Sequence, residues 1–200
     1  MQKNINKGEA ERKALIIGNQ NYNFVRKLNN IYNDADSMSV ALQAIGFKKP
    51  TVVKDTDYAS MMDAIDSFVE NSHRNDVVFF YFSGHGIGLH NNNWLLPINF
   101  DATCLEQVKN RAINVEELRK RIQDKEVRNL FLVLDACRDE TITEKCPTKN
   151  ANPNTKLVDI EANSSGFLQA FATGYGKTST YKSYFNKNSL YTESLLLYIR

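Results

Sequence analysis

Two stretches of the chain are apolar on both faces, and they constrain the fold more than any other feature. Residues 77–82 read VVFFYF, and residues 130–134 read LFLVL. A strand keeps such a pattern when both of its faces are covered, which is typical of the interior of a parallel sheet. We therefore expect a sheet that carries helices on both faces.

Shorter apolar segments alternate with helical patterns along the rest of the chain. Strands are predicted at 14–17, 51–53, 77–82, 130–134 and 166–173, with 94–98 as a further short strand or hairpin arm. Amphipathic helices are predicted at 31–45, 61–69, 114–122 and 189–199. Gly46 suits the end of the first helix, and Asn114 with Glu117 forms an asparagine variant of the capping box at the third. This alternation predicts an α/β fold with a mostly parallel sheet.

Length and segment order favour one domain. The chain has 200 residues, enough to bury one substantial core. Residues 1–12 form a polar lead-in, and the domain occupies 13–200. The helical pattern still runs at Arg200, so we expect the sequence to be a piece of a longer protein. The polar start lacks the apolar stretch of a secretion signal, which leads us to expect a cytoplasmic location.

Charge and cysteine usage exclude several function classes. A net charge of +2 with scattered Lys and Arg gives no reason to expect nucleic acid or an anionic membrane surface as a partner. No apolar run approaches the roughly 20 residues of a membrane-spanning helix. Cys104, Cys137 and Cys146 are irregularly spaced and form no zinc pattern with the three histidines. We therefore expect no disulfide scaffold and no structural zinc site, and nothing in the sequence calls for a cofactor.

Chemically reactive residues follow the two doubly apolar strands. The first runs into Ser-Gly-His-Gly at 83–86, and the second into Asp-Ala-Cys-Arg-Asp at 135–139. Ligands of open parallel sheets bind beyond the carboxyl ends of strands. If the two strands are neighbours, His85 and Cys137 meet although 52 positions separate them (137 − 85). An imidazole within reach can take the thiol proton and return it to a departing amine, so we predict a catalytic pair.

The glycines around His85 suit the same chemistry. They leave room for a substrate backbone, and they free the Gly86 N–H to point, with the Cys137 N–H, at a developing oxyanion. One such donor is typically worth about 3–4 kcal/mol of transition-state stabilisation.

The two segments resemble the catalytic signatures of the caspase-like cysteine peptidases, in the paracaspase and metacaspase branch (peptidase family C14). YFSGHG at 81–86 and LDACR at 134–138 carry the resemblance, and ALIIGNQNY at 14–22 and FAT at 171–173 extend it. The interval between histidine and cysteine is also similar to the caspase interval of about 50. The resemblance implies a caspase-like three-layer αβα sandwich and a cysteine endopeptidase. It also implies a Cys–His dyad without a third side chain, in which a backbone carbonyl orients the imidazole.

The residues beside the cysteine bear on which bond is cut. Caspases proper carry Gln-Ala-Cys-Arg-Gly, whereas Asp135 replaces the Gln here, on the same side of the strand as Cys137. A carboxylate there favours a cationic substrate side chain. By resemblance to the arginine- and lysine-directed branch, Asp34 and Asp135 line the primary pocket, with Asp36 as the alternative register. The third carboxylate of the lymphoid-tissue paracaspase falls near Thr178, which is a departure from that pattern.

Other interpretations stay open at this point. The chain could instead be a catalytically silent caspase-like scaffold or an aspartate-directed caspase. The polar segment 140–165 is predicted to be a loop and, with its lysines, a candidate for self-cleavage. Asp139 and Glu140 match acidic residues that help to bind calcium in some metacaspases, but a solvated acidic pair is the simpler interpretation. Since caspases and paracaspases can dimerise through the last strand of the sheet, the resemblance also leaves a homodimer open. It connects the chain to regulated proteolysis, cell death and immune signalling.

Overall fold

A computed structural model describes most of the chain. It covers residues 9–89, 92–101, 107–138, 166–172 and 187–199, with Cys137 and Arg138 described in their backbone only. Within these residues there are seven strands: β1 (Arg12–Gly18), β2 (Thr51–Lys54), β3 (Val77–Leu89), β4 (Asn92–Leu95), β5 (Ile113–Asn114), β6 (Asn129–Arg138) and β7 (Phe167–Phe171). There are five helices: α1 (Ile31–Ala44), α2 (Tyr58–Glu70), α3 (Val108–Arg111), α4 (Val115–Gln123) and α5 (Leu190–Tyr198).

The seven strands form one mixed sheet with β3 at its centre. β3 pairs in parallel with β1 on one side and with β6 on the other, and β2 and β7 extend the sheet outward from β1 and β6. Beyond the end of β1, the hairpin strand β4 pairs antiparallel with the last part of β3, and β5 pairs with β4. The mostly parallel sheet is confirmed.

Helices cover both faces of the sheet, which gives the expected three layers. On one face α2 and α4 pack against alternate side chains of β1, β3 and β6. On the other face α1 and α5 pack against the intervening side chains. A third apolar cluster surrounds β4 and α3 at the carboxyl end of the central strands. The longest described helix, α1, has 14 residues, fewer than the roughly 20 needed to cross a bilayer.

Several local predictions are confirmed, and two elements were not expected. The Asn114 side chain caps α4 by accepting the Glu116 and Glu117 N–H groups at 2.9 and 3.2 Å. Gly46 follows α1 with a φ of 89°, a conformation that favours glycine. The short α3 and β5 were missed because four and two residues are too few to establish a period.

The main difference from expectation is the length of the central strand. We expected β3 to end before Ser83, but it continues to Leu89. The continuation stays paired throughout, since β6 pairs with it as far as Gly86 and β4 pairs with it from Gly86 to Leu89. Glycines interrupt the apolar pattern here, so the pattern ended before the strand did. The histidine segment is therefore part of the sheet.

Candidate active site

The sheet brings the two catalytic candidates to the same register position. In the parallel pairing of β3 with β6, His85 is the partner of Cys137, and Gly86 is the partner of Arg138. Neighbouring strands lie about 4.7–4.9 Å apart. Although 52 positions separate the two residues in sequence, they lie side by side on adjacent strands at the carboxyl end of the sheet.

The surroundings of His85 determine its tautomer. The side chain is fully buried, and its Nε2 lies 2.7 Å from the Arg26 carbonyl oxygen. A carbonyl only accepts hydrogen bonds, so Nε2 carries the proton in the neutral ring. Nδ1 is then the basic nitrogen. The backbone carbonyl that the resemblance implied is present in the structure, at Arg26.

Tyr22 is a second residue beside the imidazole. Its hydroxyl accepts a hydrogen bond from the His85 N–H at 2.8 Å and donates one to the Leu96 carbonyl at 3.1 Å. Its ring centroid lies 4.5 Å from that of the imidazole, with 59° between the planes. Both Tyr22 and Arg26 belong to the loop that joins β1 to α1.

Two buried carboxylates lie on the α1/α5 face of the sheet. Asp34 is in the first turn of α1, and Asp135 follows the apolar part of β6. Ser189, the N-cap of α5, joins them: its N–H donates to Asp34 Oδ1 at 2.8 Å, and its hydroxyl donates to Asp135 Oδ2. The predicted pair of pocket residues is therefore brought together, 101 positions apart in sequence (135 − 34).

Further hydrogen bonds hold each carboxylate in place. Asn188 Nδ2 donates to Asp34 Oδ1 at 3.0 Å, and the Thr192 hydroxyl donates to Asp135 Oδ2 at 2.8 Å. The N-terminus of α5 adds the favourable end of a helix dipole. Asp34 Oδ2 is buried and accepts no hydrogen bond from the described residues.

Burial raises the pKa values of both acids. Burial, followed by the negative charge of Asp135, raises the pKa of Asp34 from 3.8 to about 7, against hydrogen bonds from Ser189 and Asn188. Burial also raises the pKa of Asp135, opposed by hydrogen bonds from Ser189, Thr192 and Tyr81. Such shifts are frequent at functional sites.

The alternative register, with Asp36 in the pocket, is not what the structure shows. Asp36 lies on the outer side of α1, with 61% of its side chain exposed, and forms an ion pair with Lys54 at 2.7 Å. Asp34 is fully buried and faces Asp135 through Ser189.

Sequence inspection missed the contributions of Tyr22, Ser189 and Thr192. Ser189 and Thr192 lie in a segment that was predicted as a helix start, which could have signalled a cap but not its distant acid partners. Thr178, Asp139, Glu140 and the loop 140–165 lie outside the described residues. Within the described ranges, no three His, Cys, Asp or Glu side chains form a group that could hold a metal ion.

Comparison with known proteins places the whole described fold in one family. A profile of the caspase domain matches residues 11–200. Metacaspase-1 of Schizosaccharomyces pombe is 37% identical over 89 residues, which cover 39% of this chain and 21% of that protein. Human mucosa-associated lymphoid tissue lymphoma translocation protein 1 is 29% identical over 137 residues (66% and 16%). The paracaspase of Dictyostelium discoideum is 27% identical over 199 residues (97% and 45%).

The matched region spans less than half the length of each of these three relatives. Within this chain, however, the family profile covers nearly every residue, and the sheet is mostly parallel, as expected. The chain belongs to the caspase domain family of cysteine peptidases, in its paracaspase and metacaspase branch.

Proposed function

We propose that this chain is a cysteine endopeptidase that cleaves peptide bonds after Arg or Lys, with Cys137 as nucleophile and His85 as its proton partner. The observation that carries the proposal is the in-register pairing of His85 with Cys137 beside a pair of buried carboxylates. We place the activity in regulated proteolysis of the cell-death or immune-signalling kind, by similarity to the branch.

In the proposed reaction, His85 Nδ1 takes the thiol proton of Cys137, and the sulfur attacks the carbonyl carbon of the scissile bond. The tetrahedral intermediate collapses to a thioester, and the leaving amine receives the proton from His85. Water, deprotonated by the same imidazole, then hydrolyses the thioester and frees the thiol. The Nε2–H bond to the Arg26 carbonyl keeps Nδ1 as the reacting nitrogen throughout.

The Gly86 amide is one of the two proposed oxyanion donors. His85 uses its N–H for Tyr22 and its carbonyl for the Leu96 N–H, and both partners lie on the β1/β4 side of β3. Since successive peptide groups of a strand point to opposite sides, the Gly86 N–H is directed toward β6, where the pairing of Gly86 with Arg138 places it in the ladder. We propose that this N–H and the Cys137 N–H turn to the oxyanion when substrate binds, because two converging N–H groups are the usual means of stabilising such a charge.

The carboxylate pair supports a cationic substrate residue. Two acids in one buried site repel a third, which disfavours aspartate at the cleavage position. A guanidinium or ammonium group would instead neutralise the pair and supply a donor to Asp34 Oδ2. This argues for Arg or Lys over the aspartate-directed alternative.

A panel of fluorogenic peptides with Arg, Lys, Asp or Asn at the cleavage position tests the proposal. We expect release from the Arg and Lys peptides at rates at least about 100-fold above the Asp peptide, since a charge-assisted hydrogen bond is worth about 1.5–3 kcal/mol and the like charge adds a penalty. Cys137→Ala protein prepared in parallel controls for contaminating proteases. Cleavage after Asp would refute the specificity, and no cleavage of any peptide would favour the scaffold interpretation.

Binding of a basic peptide should depend on pH through Asp34. Its carboxyl group, with a pKa of about 7, is neutral below that pH and charged above it. We expect the Kd of an Arg-terminated peptide for the Cys137→Ala protein to fall about tenfold between pH 5.5 and 8, because only the ionised acid pair attracts the cation strongly. Calorimetry measures it without interference from the thiol. The same peptide with citrulline in place of Arg is the matched control, and equal pH dependence of both peptides would contradict the assignment.

A further inference from the structure

The loop between β1 and α1 contacts the candidate catalytic histidine at its backbone and at its ring. The Tyr22 hydroxyl bonds the His85 N–H, the Tyr22 ring packs against the imidazole, and the Arg26 carbonyl bonds Nε2. Because backbone and ring are both held, the position and the tilt of the imidazole depend on this loop.

The tyrosine hydroxyl fills a gap in the sheet. β1 ends at Gly18, paired with Ser83, and β4 begins its pairing with β3 only at Gly86. Between these two strands, at the place where a strand carbonyl would accept in a continuous ladder, the Tyr22 hydroxyl accepts the hydrogen bond of the His85 N–H at 2.8 Å. A buried N–H without a partner costs about 1–3 kcal/mol, so the sheet would otherwise be weakened beside the histidine.

The hydroxyl is packed tightly in this gap. A Cβ atom at Gly84 would lie 2.6 Å from the Tyr22 hydroxyl oxygen, closer than non-bonded atoms approach. The tyrosine itself is 2% exposed. The glycine before the histidine therefore serves a purpose apart from substrate access: it admits the tyrosine hydroxyl to the β3 backbone.

The carboxylate of Asp55 holds the loop between β1 and α1 in position. Asp55, after β2, accepts hydrogen bonds from the Gln20 N–H at 2.8 Å and the Asn21 N–H at 3.0 Å, and also from the Asn21 side chain and the Tyr32 hydroxyl. These bonds outweigh burial and lower the pKa of Asp55. The turn that precedes Tyr22 is thus held by a charged group. This fixes the position from which the Tyr22 side chain reaches the His85 N–H.

We propose that Tyr22 is a positioning residue for the reaction: its hydroxyl sets the height and tilt of the His85 imidazole relative to Cys137. The inference rests on the proposed function, in which His85 transfers the proton. The Tyr22 hydroxyl bonds the backbone of His85 and of Leu96, and its ring packs against the imidazole, so we expect its effect on the chemical step and not on recognition of the basic residue. Displacement of a catalytic group by about 1 Å can cost about 100-fold in rate.

The Tyr22→Phe variant tests this, since it keeps the ring and removes only the hydroxyl. With the best basic peptide we expect kcat to fall about 10- to 100-fold, with KM changed less than twofold. The pH profile for alkylation of Cys137 by iodoacetamide, followed on the Cys137 peptide by mass spectrometry, should move toward the profile of a free thiol near 8.5. Tyr58→Phe is the matched control: Tyr58 lies on α2, across the sheet, and its loss should leave kcat, KM and the alkylation profile unchanged.

The outcomes separate this inference from the proposed function. If wild type is active and Tyr22→Phe keeps its kcat within twofold, or raises KM in proportion, the positioning role is overturned while the peptidase stands. A lowered kcat with an unchanged alkylation profile, or one explained fully by a smaller folded fraction in circular dichroism, would also overturn it. If instead His85→Ala retains wild-type activity, the proposed function itself fails.

Discussion

Alanine at Cys137 or at His85 is expected to remove nearly all hydrolysis of basic peptides. Without Cys137 there is no sulfur to form the thioester, so turnover should be undetectable. Without His85 the thiol keeps its proton at neutral pH, and we expect kcat/KM to fall about 10²- to 10⁴-fold, the usual contribution of a positioned proton-transfer group. Steady-state kinetics on the Arg peptide measures both losses.

The same variants should differ in a second measurement. In His85→Ala, Cys137 is still present, so iodoacetamide should modify it, but more slowly than in wild type at pH 7. His73→Ala is the matched histidine control. His73 is largely exposed at the opposite end of the sheet, near Lys13 and Asp76, and its loss should change kcat/KM less than twofold. If His85→Ala kept more than a tenth of the wild-type kcat/KM, the dyad would be wrong.

Asp34→Asn should weaken cleavage after Arg and Lys while making the protein more stable. The variant removes one of two negative charges from the pocket, and we expect kcat/KM on basic peptides to fall about 10- to 100-fold, in line with about 1.5–3 kcal/mol for a charge-assisted hydrogen bond. The asparagine oxygen can still accept from Ser189 and Asn188, and its amide can donate toward Asp135. The fold therefore has no reason to change.

The stability gain follows from the sign of the pKa shift. The pKa of Asp34 rises from 3.8 to about 7 on folding, so the folded state disfavours the charged form. That cost is absent below about pH 4 and fully present above about pH 7, where three pKa units correspond to about 4 kcal/mol. Urea unfolding should show Asp34→Asn stabilised by about 2–4 kcal/mol at pH 8 and much less at pH 4.5.

Asp36→Asn is the matched control for both measurements. It removes a carboxylate from the same helix two positions away, where the charge is exposed and paired with Lys54. Since exposed ion pairs contribute little, we expect activity to change less than twofold and stability by less than about 1 kcal/mol. If Asp36→Asn lost as much activity as Asp34→Asn, the assignment of Asp34 to the pocket would be wrong.

The sequence was informative where burial leaves a strong pattern. Residues 77–82 and 130–134 could be assigned to the centre of a parallel sheet because few other environments keep both faces of a strand apolar. That assignment predicted that His85 and Cys137 meet if the two strands are neighbours, and the structure pairs the two residues in register. The two-residue spacing along the strand placed Asp135 on the same side as Cys137, and the family resemblance added Asp34 as its partner.

The sequence was less informative where contacts between distant parts of the chain determine which side chains are buried or brought together. Asp34 and Asp36 both lie in the early turns of one helix, and only the packing of α1 shows which is buried. Ser189 reaches Asp34 across 155 positions, a contact that no local pattern reveals. The Arg26 carbonyl leaves no signal because every residue has one, and Tyr22 resembles an ordinary core aromatic until its hydroxyl partners are seen.

The central position of β3 has a consequence for how such a molecule can be controlled. Up to Gly86 the strand is hydrogen-bonded to β6 on one side. On the other side its partners are, in order along the strand, β1, the Tyr22 hydroxyl and β4. Histidine and cysteine therefore keep their spacing for as long as the sheet survives, since separating them would mean breaking the middle of the domain. The acid pocket instead depends on where two helices begin, α1 and α5, and a helix end can shift without opening a sheet. We therefore expect adjustment by a partner or by substitution to be easiest at the proposed acid pocket and hardest at the proposed catalytic pair.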